Sequence, residues 1–169
     1  MSTVRPPAVA GMFYPAEPGQ LALDVQQLLA GARAHDLVPK ALIAPHAGYI
    51  YSGAIAATAY ATLRHIAARI RRVVLLGPAH RVAVRGLALP GADAFDTPLG
   101  RVVLDTAAAS AIAHLPQVSV NAQAHELEHS LEVQLPLLQT ELSDFTLLPL
   151  AVGMATAEED AEVLEIVWG

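Results

Sequence analysis

Two short apolar runs, each stopped by a proline and followed within two residues by a histidine, restrict this chain more than any other feature. Residues 41–44 (ALIA) lead to Pro45 and His46; residues 73–76 (VVLL) lead through Gly77 and Pro78 to His80. Apolar runs of this length, bounded by turn formers, suit strands buried on both faces, and the helix-length segment between them suits a crossover connection. Parallel strands joined in this way open onto a crevice at their carboxyl ends, where open α/β sheets bind ligands. The pattern predicts two neutral imidazoles in one crevice, the donors that zinc, iron and copper accept. A single histidine after a strand is usually a loop or capping residue, so it is the repetition that points to a metal or catalytic site.

The remaining elements extend the same alternation. Residues 18–34 carry Leu21, Val25, Leu28 and Leu29 at helical spacing and close at Gly31 and Pro39. Ser52 stands where an N-cap would, opening an alanine-rich helix over about 53–70. Between 82 and 104, apolar pieces separated by Gly86, Pro90, Gly91, Pro98 and Gly100 predict loops and edge strands. A short helix follows at 105–114, capped by Asp105, then a strand at 118–120, a helix at 126–142, a strand at 145–152 and a helix at 156–167 with Thr156 and Glu159 in capping-box spacing. No repeat, low-complexity tract or linker interrupts the order. It predicts one α/β domain over 1–169, with a mainly parallel central sheet flanked by helices.

Composition removes several classes. A chain of 169 residues that is 54% hydrophobic and 15% charged can bury a core and is not disordered. Net charge is −6, and Arg69, Arg71 and Arg72 form the single basic cluster, at a predicted helix end; nucleic acid is not an expected partner. No cysteine is present, which excludes disulfides and thiolate metal sites and fits a reducing compartment. The N-terminal segment MSTVRPPAVAGMFYP is broken by prolines and lacks a signal-peptide apolar region, and no apolar run approaches the roughly 20 residues of a membrane span. The expected location is the cytoplasm, and a homo-oligomer is compatible with the chain.

A second loaded segment is AHELEHSLEVQLPLLQTEL at 124–142. On a helix, His125, Glu128, His129 and Glu132 would fall within about 100° of one another, beside a leucine stripe. Pro136 cannot donate to the Glu132 carbonyl, which predicts a kink there. Residues 125–129 also spell HExxH, the motif in which two histidines on one helical turn hold zinc and the glutamate activates its water. That alternative, a zinc metallopeptidase, leaves His46 and His80 unexplained, and no downstream acid has a motif around it.

RPPAVAGMFYPAEP, APHAGYIYSG, LLGPAH and AHELEHSLEVQLPLLQ, in this order, resemble the successive motifs of the Memo family, whose bacterial members are called AmmeMemoRadiSam system protein B. The resemblance runs from about Val4 onward. It implies a fold similar to the class III extradiol dioxygenases, which open catechol rings with non-haem ferrous iron. On that resemblance His46 and His80 match metal-site histidines, and His129 with Glu132 are the expected catalytic pair beside the same cleft. The implied cofactor is a divalent metal, iron first, with copper or zinc as alternatives. The implied activity, if the protein is an enzyme, is a metal-dependent, dioxygenase-like oxidation of a small molecule. A non-catalytic binding module, with radical S-adenosylmethionine and AMMECR-type proteins as partners, is the alternative. Family members are longer, and their C-terminal third holds an SSD-x-SH type segment and in some a cysteine. The chain is therefore expected to be incomplete relative to the family, as a fragment, a natural short form or a protein that completes its site differently.

Two histidines and one carboxylate leave open positions for substrate and dioxygen. Glu128 or Glu132 is the local candidate for the acid, unless it lies outside these residues, and His129 or His125 could act as general base. Tyr49, Ser52, His125 and Glu128 are the expected pocket residues, with Tyr51 a further candidate and the helix start after Ser52 offering a positive dipole end. Met12, Phe13 and Tyr14 either cover the cleft or pack beneath it. Asp93 and Asp96 suit turn formation, and His35, His65 and His114 suit the surface.

Overall fold

The computed structural model describes residues 2–33 and 35–168. Ala34, the last residue of the helix expected over 18–34, lies outside the described residues, as do Met1 and Gly169 at the ends of the expected domain. The central sheet is built on β2 (Arg72–Pro78) and β7 (Thr146–Val152), which run parallel in a seven-residue register from Arg72 opposite Thr146 to Pro78 opposite Val152. β3 (Leu87–Leu89) pairs antiparallel with β7 and parallel with β6 (Val118–Val120), giving the order β2-β7-β3-β6. The sheet is thus mixed. β3 lies inside it and is fully buried, because Leu87 and Leu89 face one helical layer while Ala88 faces the other side. A smaller sheet joins β1 (Val4–Arg5), β4 (Ala94–Thr97) and β5 (Gly100–Val103).

Helices cover both faces of the central sheet. On one, α1 (Pro18–Gly31), α2 (Tyr49–Ala61) and α5 (Leu135–Glu141) pack Leu21, Val25, Ala57, Tyr60, Leu135 and Leu138 into one core with Leu147. On the other, α3 (Thr106–Ile112) and α6 (Ala157–Val167) pack Ile112, Val163 and Val167 against Leu148 and Leu150. Alternation along β7 sends its leucines to both layers, which is why this strand reads as continuously apolar. Asp105 caps α3 through the Ala108 amide, and Thr156 and Glu159 form the predicted capping box on α6. Among the described residues no helix is long and apolar enough to cross a membrane.

Three expectations are corrected. α2 begins at Tyr49, with Gly48 as its N-cap, and ends at Ala61, not 53–70. Ser52 is therefore inside the first turn, and its hydroxyl donates back to the Ala47 carbonyl at 3.3 Å. The single helix expected over 126–142 is broken into α4 (Gln123–Glu126), an irregular stretch, a 3-10 turn (Glu132–Gln134) and α5. Two causes act together: Pro136 removes one helical donor, and the Glu128 carboxylate takes the amides of His129 and Ser130 at 2.9 and 3.0 Å. The Glu132 carbonyl, to which Pro136 cannot donate, accepts from the Leu135 amide instead. Finally, residues 41–44 alternate like a strand, with Leu42 and Ala44 toward the core and Ala41 and Ile43 outward, but pair with no neighbour among the described residues.

Candidate metal centre

The two proline-stopped runs deliver their histidines to one place. His46 sits just before α2 and His80 just after β2, with ring centroids 5.2 Å apart. His129 joins them from the irregular stretch after α4, 4.6 Å from His80 and 5.7 Å from His46. One nitrogen from each of the three lies within 4.8 Å of the others. Small rotations bring such a set to the roughly 2.0–2.1 Å of metal–imidazole bonds. Among the described residues no carboxylate belongs to this group, and it is His129 that stands with His46 and His80.

Glu128 has another role in the geometry. Its Oε1 lies 2.8 Å from His80 Nδ1 and its Oε2 accepts from the His80 amide at 2.6 Å. A carboxylate bonded to Nδ1 fixes the tautomer and turns Nε2 outward, the arrangement that supports histidine ligands at metal sites. Burial by itself would raise the Glu128 pKa. The His80 amide and imidazole and the Ser130 amide outweigh it and hold the carboxyl down to about 2. Oε1 also accepts from the amides of His129 and Ser130, so one side chain ties the His80 and His129 loops together. At His129, burial first, and then the neighbouring His80, His46 and Arg81, depress the pKa and favour the neutral, ligand-ready ring. Gly77 permits the approach: a Cβ there would come within 2.7 Å of Ser130 Oγ and 2.9 Å of Leu131 Cδ2.

Glu132 is wholly buried and faces different partners. Its carboxylate accepts from Arg5 Nη1 at 2.7 Å, the Tyr14 hydroxyl at 2.6 Å, the Ala8 amide at 2.9 Å and the Val9 amide at 3.0 Å. Those bonds fasten the N-terminal segment to the 3-10 turn. Next along that segment, Phe13 lies 4.6 Å from His129 and its carbonyl accepts from the Tyr49 amide. The AGMFYP motif therefore does both things allowed for it: Phe13 flanks the cluster, while Tyr14 is buried beneath. Burial, with the nearby Glu132 carboxylate, raises the Tyr14 pKa.

Of the other expected pocket residues, Ser52 bonds to the carbonyl of Ala47, next to His46, while Tyr49 and His125 have partners of their own. The Tyr49 hydroxyl donates to the Val133 carbonyl at 2.6 Å, and Tyr51 points to solvent. His125 is 2% exposed, with Nε2 against the Ala88 carbonyl at 2.7 Å and its ring edge-on to Phe95. Since α4 ends at Glu126, His125 and His129 share no helical turn, and the HExxH string does not form a zincin site. The cluster itself is open on one side, with the His80 side chain 39% exposed. A cavity of about 280 Å³ beside β3 and α3, lined by Leu89, Pro90, Leu104 and Ala109, contains none of the three histidines.

Sequence reasoning assigned Arg5 no part, although it organises this region; more than 100 residues separate it from Glu132, and no local pattern links them. His129 was legible as a functional histidine but not as the third member of the imidazole group.

A family model described as "Memo-like protein" matches residues 5–168. A MEMO1 family protein of Aquifex aeolicus is 40% identical over 157 residues, 92% of this chain and 57% of its own length. Those of Methanosarcina barkeri and Archaeoglobus fulgidus are 38% and 37% identical, across 95% and 96% of this chain and 58% and 59% of theirs. The chain thus spans a little under three fifths of the length of these curated relatives.

Proposed function

Because this chain belongs to the Memo-like family, we propose that His46, His80 and His129 form a divalent metal centre that acts on a small molecule. The observation that carries the proposal is the convergence of three imidazole nitrogens from three separate loops, with Glu128 orienting one of them. Iron is the metal that the likeness to extradiol dioxygenases favours; a set of imidazoles without a carboxylate also suits copper or zinc. Bound there, the ion would polarise a coordinated ligand and, if iron or copper, supply redox chemistry. The protein's own part is to keep the imidazoles neutral and aimed, through Glu128 and the depressed His129 pKa, and to leave the His80 side open to a ligand. In this proposal His129 is a ligand in place of a general base, and Glu132 is an anchor for Arg5. Lacking cysteine, the site suits a reducing compartment such as the cytoplasm.

Metal content by plasma mass spectrometry, on protein purified without oxygen or chelators, tests this. Near-stoichiometric metal should be present in the parent and in His125→Ala and be lost in His46→Ala, His80→Ala and His129→Ala. Full metal in His46→Ala, or loss on His125→Ala alone, would refute the assignment. A second reading, which the resemblance to the family implies, is a non-catalytic module that works with radical S-adenosylmethionine and AMMECR-type partners. Absence of bound metal in the parent would select it.

A further inference from the structure

The cavity of about 280 Å³ beside β3 and α3 has a cause in the sheet. Along β7 the even-numbered residues turn their backbone toward β2: the Thr146 amide donates to the Arg71 carbonyl, and the Val152 carbonyl accepts from the Ala79 amide. The odd-numbered residues therefore face the other edge. There Leu147 bridges to Leu104 and Ala151 pairs with Ala88, while Pro149, between them, has no β partner on that edge among the described residues. Proline brings a carbonyl and no amide to the edge, so no ladder closes the gap. Pro149 lines the cavity, and Leu89, Leu104, Leu147 and Leu148, all buried, form its floor. Ala109 in α3 and Ala113 just after it form a wall of small side chains that leaves the space open.

One charged group at the mouth is both fixed in place and open to a partner. Asp93 is exposed, and its backbone is held from two sides: its amide donates to the Thr3 carbonyl at 2.8 Å and its carbonyl accepts from the Leu104 amide at 2.9 Å. Its Oδ2 accepts from the Thr3 amide at 2.7 Å, and its Oδ1 has no partner among the described residues. The other lining carboxylate, Asp105, is taken by Arg72 and the Ala108 amide. No lining residue is cationic, and the chain as a whole carries a net charge of −6. An anion would be repelled, and a wholly apolar guest would strip water from the Asp93 and Pro149 oxygens without replacing it. A guest that is apolar along its body and a positive donor at one end satisfies both parts of the lining. We propose that this cavity binds a small primary amine, with its ammonium group on Asp93 and an aliphatic or aromatic body over the leucines. Since a cavity of about 150 Å³ holds benzene, this one has room for a phenyl ring with a short amine arm. It shares no residue with the histidine cluster, so the assignment is independent of the metal centre.

Phenethylamine, 2-phenylethanol and 3-phenylpropanoate, titrated into the full chain and followed by two-dimensional amide NMR, test this. Phenethylamine should shift the amides of Leu89, Leu104, Ala109 and Val120, which line the cavity, and bind at least about tenfold more tightly than the alcohol or the acid. Asp93→Asn keeps an acceptor for the Thr3 amide but removes the charge; it should abolish the preference for the amine and leave the affinity for the alcohol unchanged. Ala113→Leu, at an exposed residue of the wall, should fill the cavity and weaken amine binding at least about tenfold, with the circular dichroism spectrum unchanged. Equal affinity for the three probes, a preference that survives Asp93→Asn, shifts confined to residues outside the cavity, or undiminished binding in Ala113→Leu would overturn the proposal.

Discussion

Arg5→Met should cost about 3–5 kcal/mol of unfolding free energy, because it leaves the carboxylate of Glu132 charged inside the protein. The two side chains are 7% and 0% exposed and meet at 2.7 Å. Two amides and the Tyr14 hydroxyl would still solvate the carboxylate, which argues for the lower end of the range. Against that, Arg5 Nε and Nη2 also donate to the carbonyls of His125 and Glu128 at 2.6 and 2.9 Å, and each buried carbonyl left unpaired costs about 1–3 kcal/mol. Methionine keeps an apolar stem near Phe95, whose ring centroid lies 5.0 Å from the guanidinium carbon, so packing loss is small beside the electrostatic loss. For a domain of this size the same change lowers the melting temperature by roughly 6–20 °C. Urea denaturation followed by circular dichroism, with linear extrapolation, measures it. Adding Glu132→Leu completes a double-mutant cycle, and the double variant should be more stable than the two single losses predict, since no buried charge is left alone. A loss below about 1 kcal/mol for Arg5→Met, or strict additivity in the cycle, would refute the reasoning.

Glu128→Gln should keep the chain folded but weaken metal binding about 10- to 100-fold, measured by chelator competition, since an amide orients His80 less firmly than a carboxylate; equal affinity would remove the orienting role. Burial holds the His125 imidazole down to about 4 from its ordinary 6.5, so between those values the unfolded chain takes up a proton that the folded chain refuses. Stability should therefore be undiminished above pH 6.5 and fall by up to about 3 kcal/mol as pH drops toward 4, and His125→Gln should remove this part of the acid slope of the urea midpoint. An identical slope in both proteins would count against it.

What the sequence determined by itself was local. Caps at Asp105 and Thr156, the stop at Gly31, the apolar β7 and the alternation of helices with strands follow from interactions within a few residues, and the structure has them where the residues place them. The convergence of His46 and His80 was legible for a related reason: an extended apolar run, a proline and a histidine, twice over, bring two side chains to one end of the fold, although among the described residues only the second run pairs as a strand. Tertiary structure decided the rest. Helical periodicity over 126–142 was real, but Glu128 satisfies the backbone of His129 and Ser130 better than a helical turn would, and this frees His129 to become the third imidazole. Glu132, on the expected catalytic face, is claimed by Arg5 from the other end of the chain. Residues 41–44 have the composition of a strand without a neighbour to pair with, and pairing is a property of two segments. Each of these outcomes depends on which distant group reaches a given backbone amide or carboxylate first, and spacing along one segment carries no information about that competition.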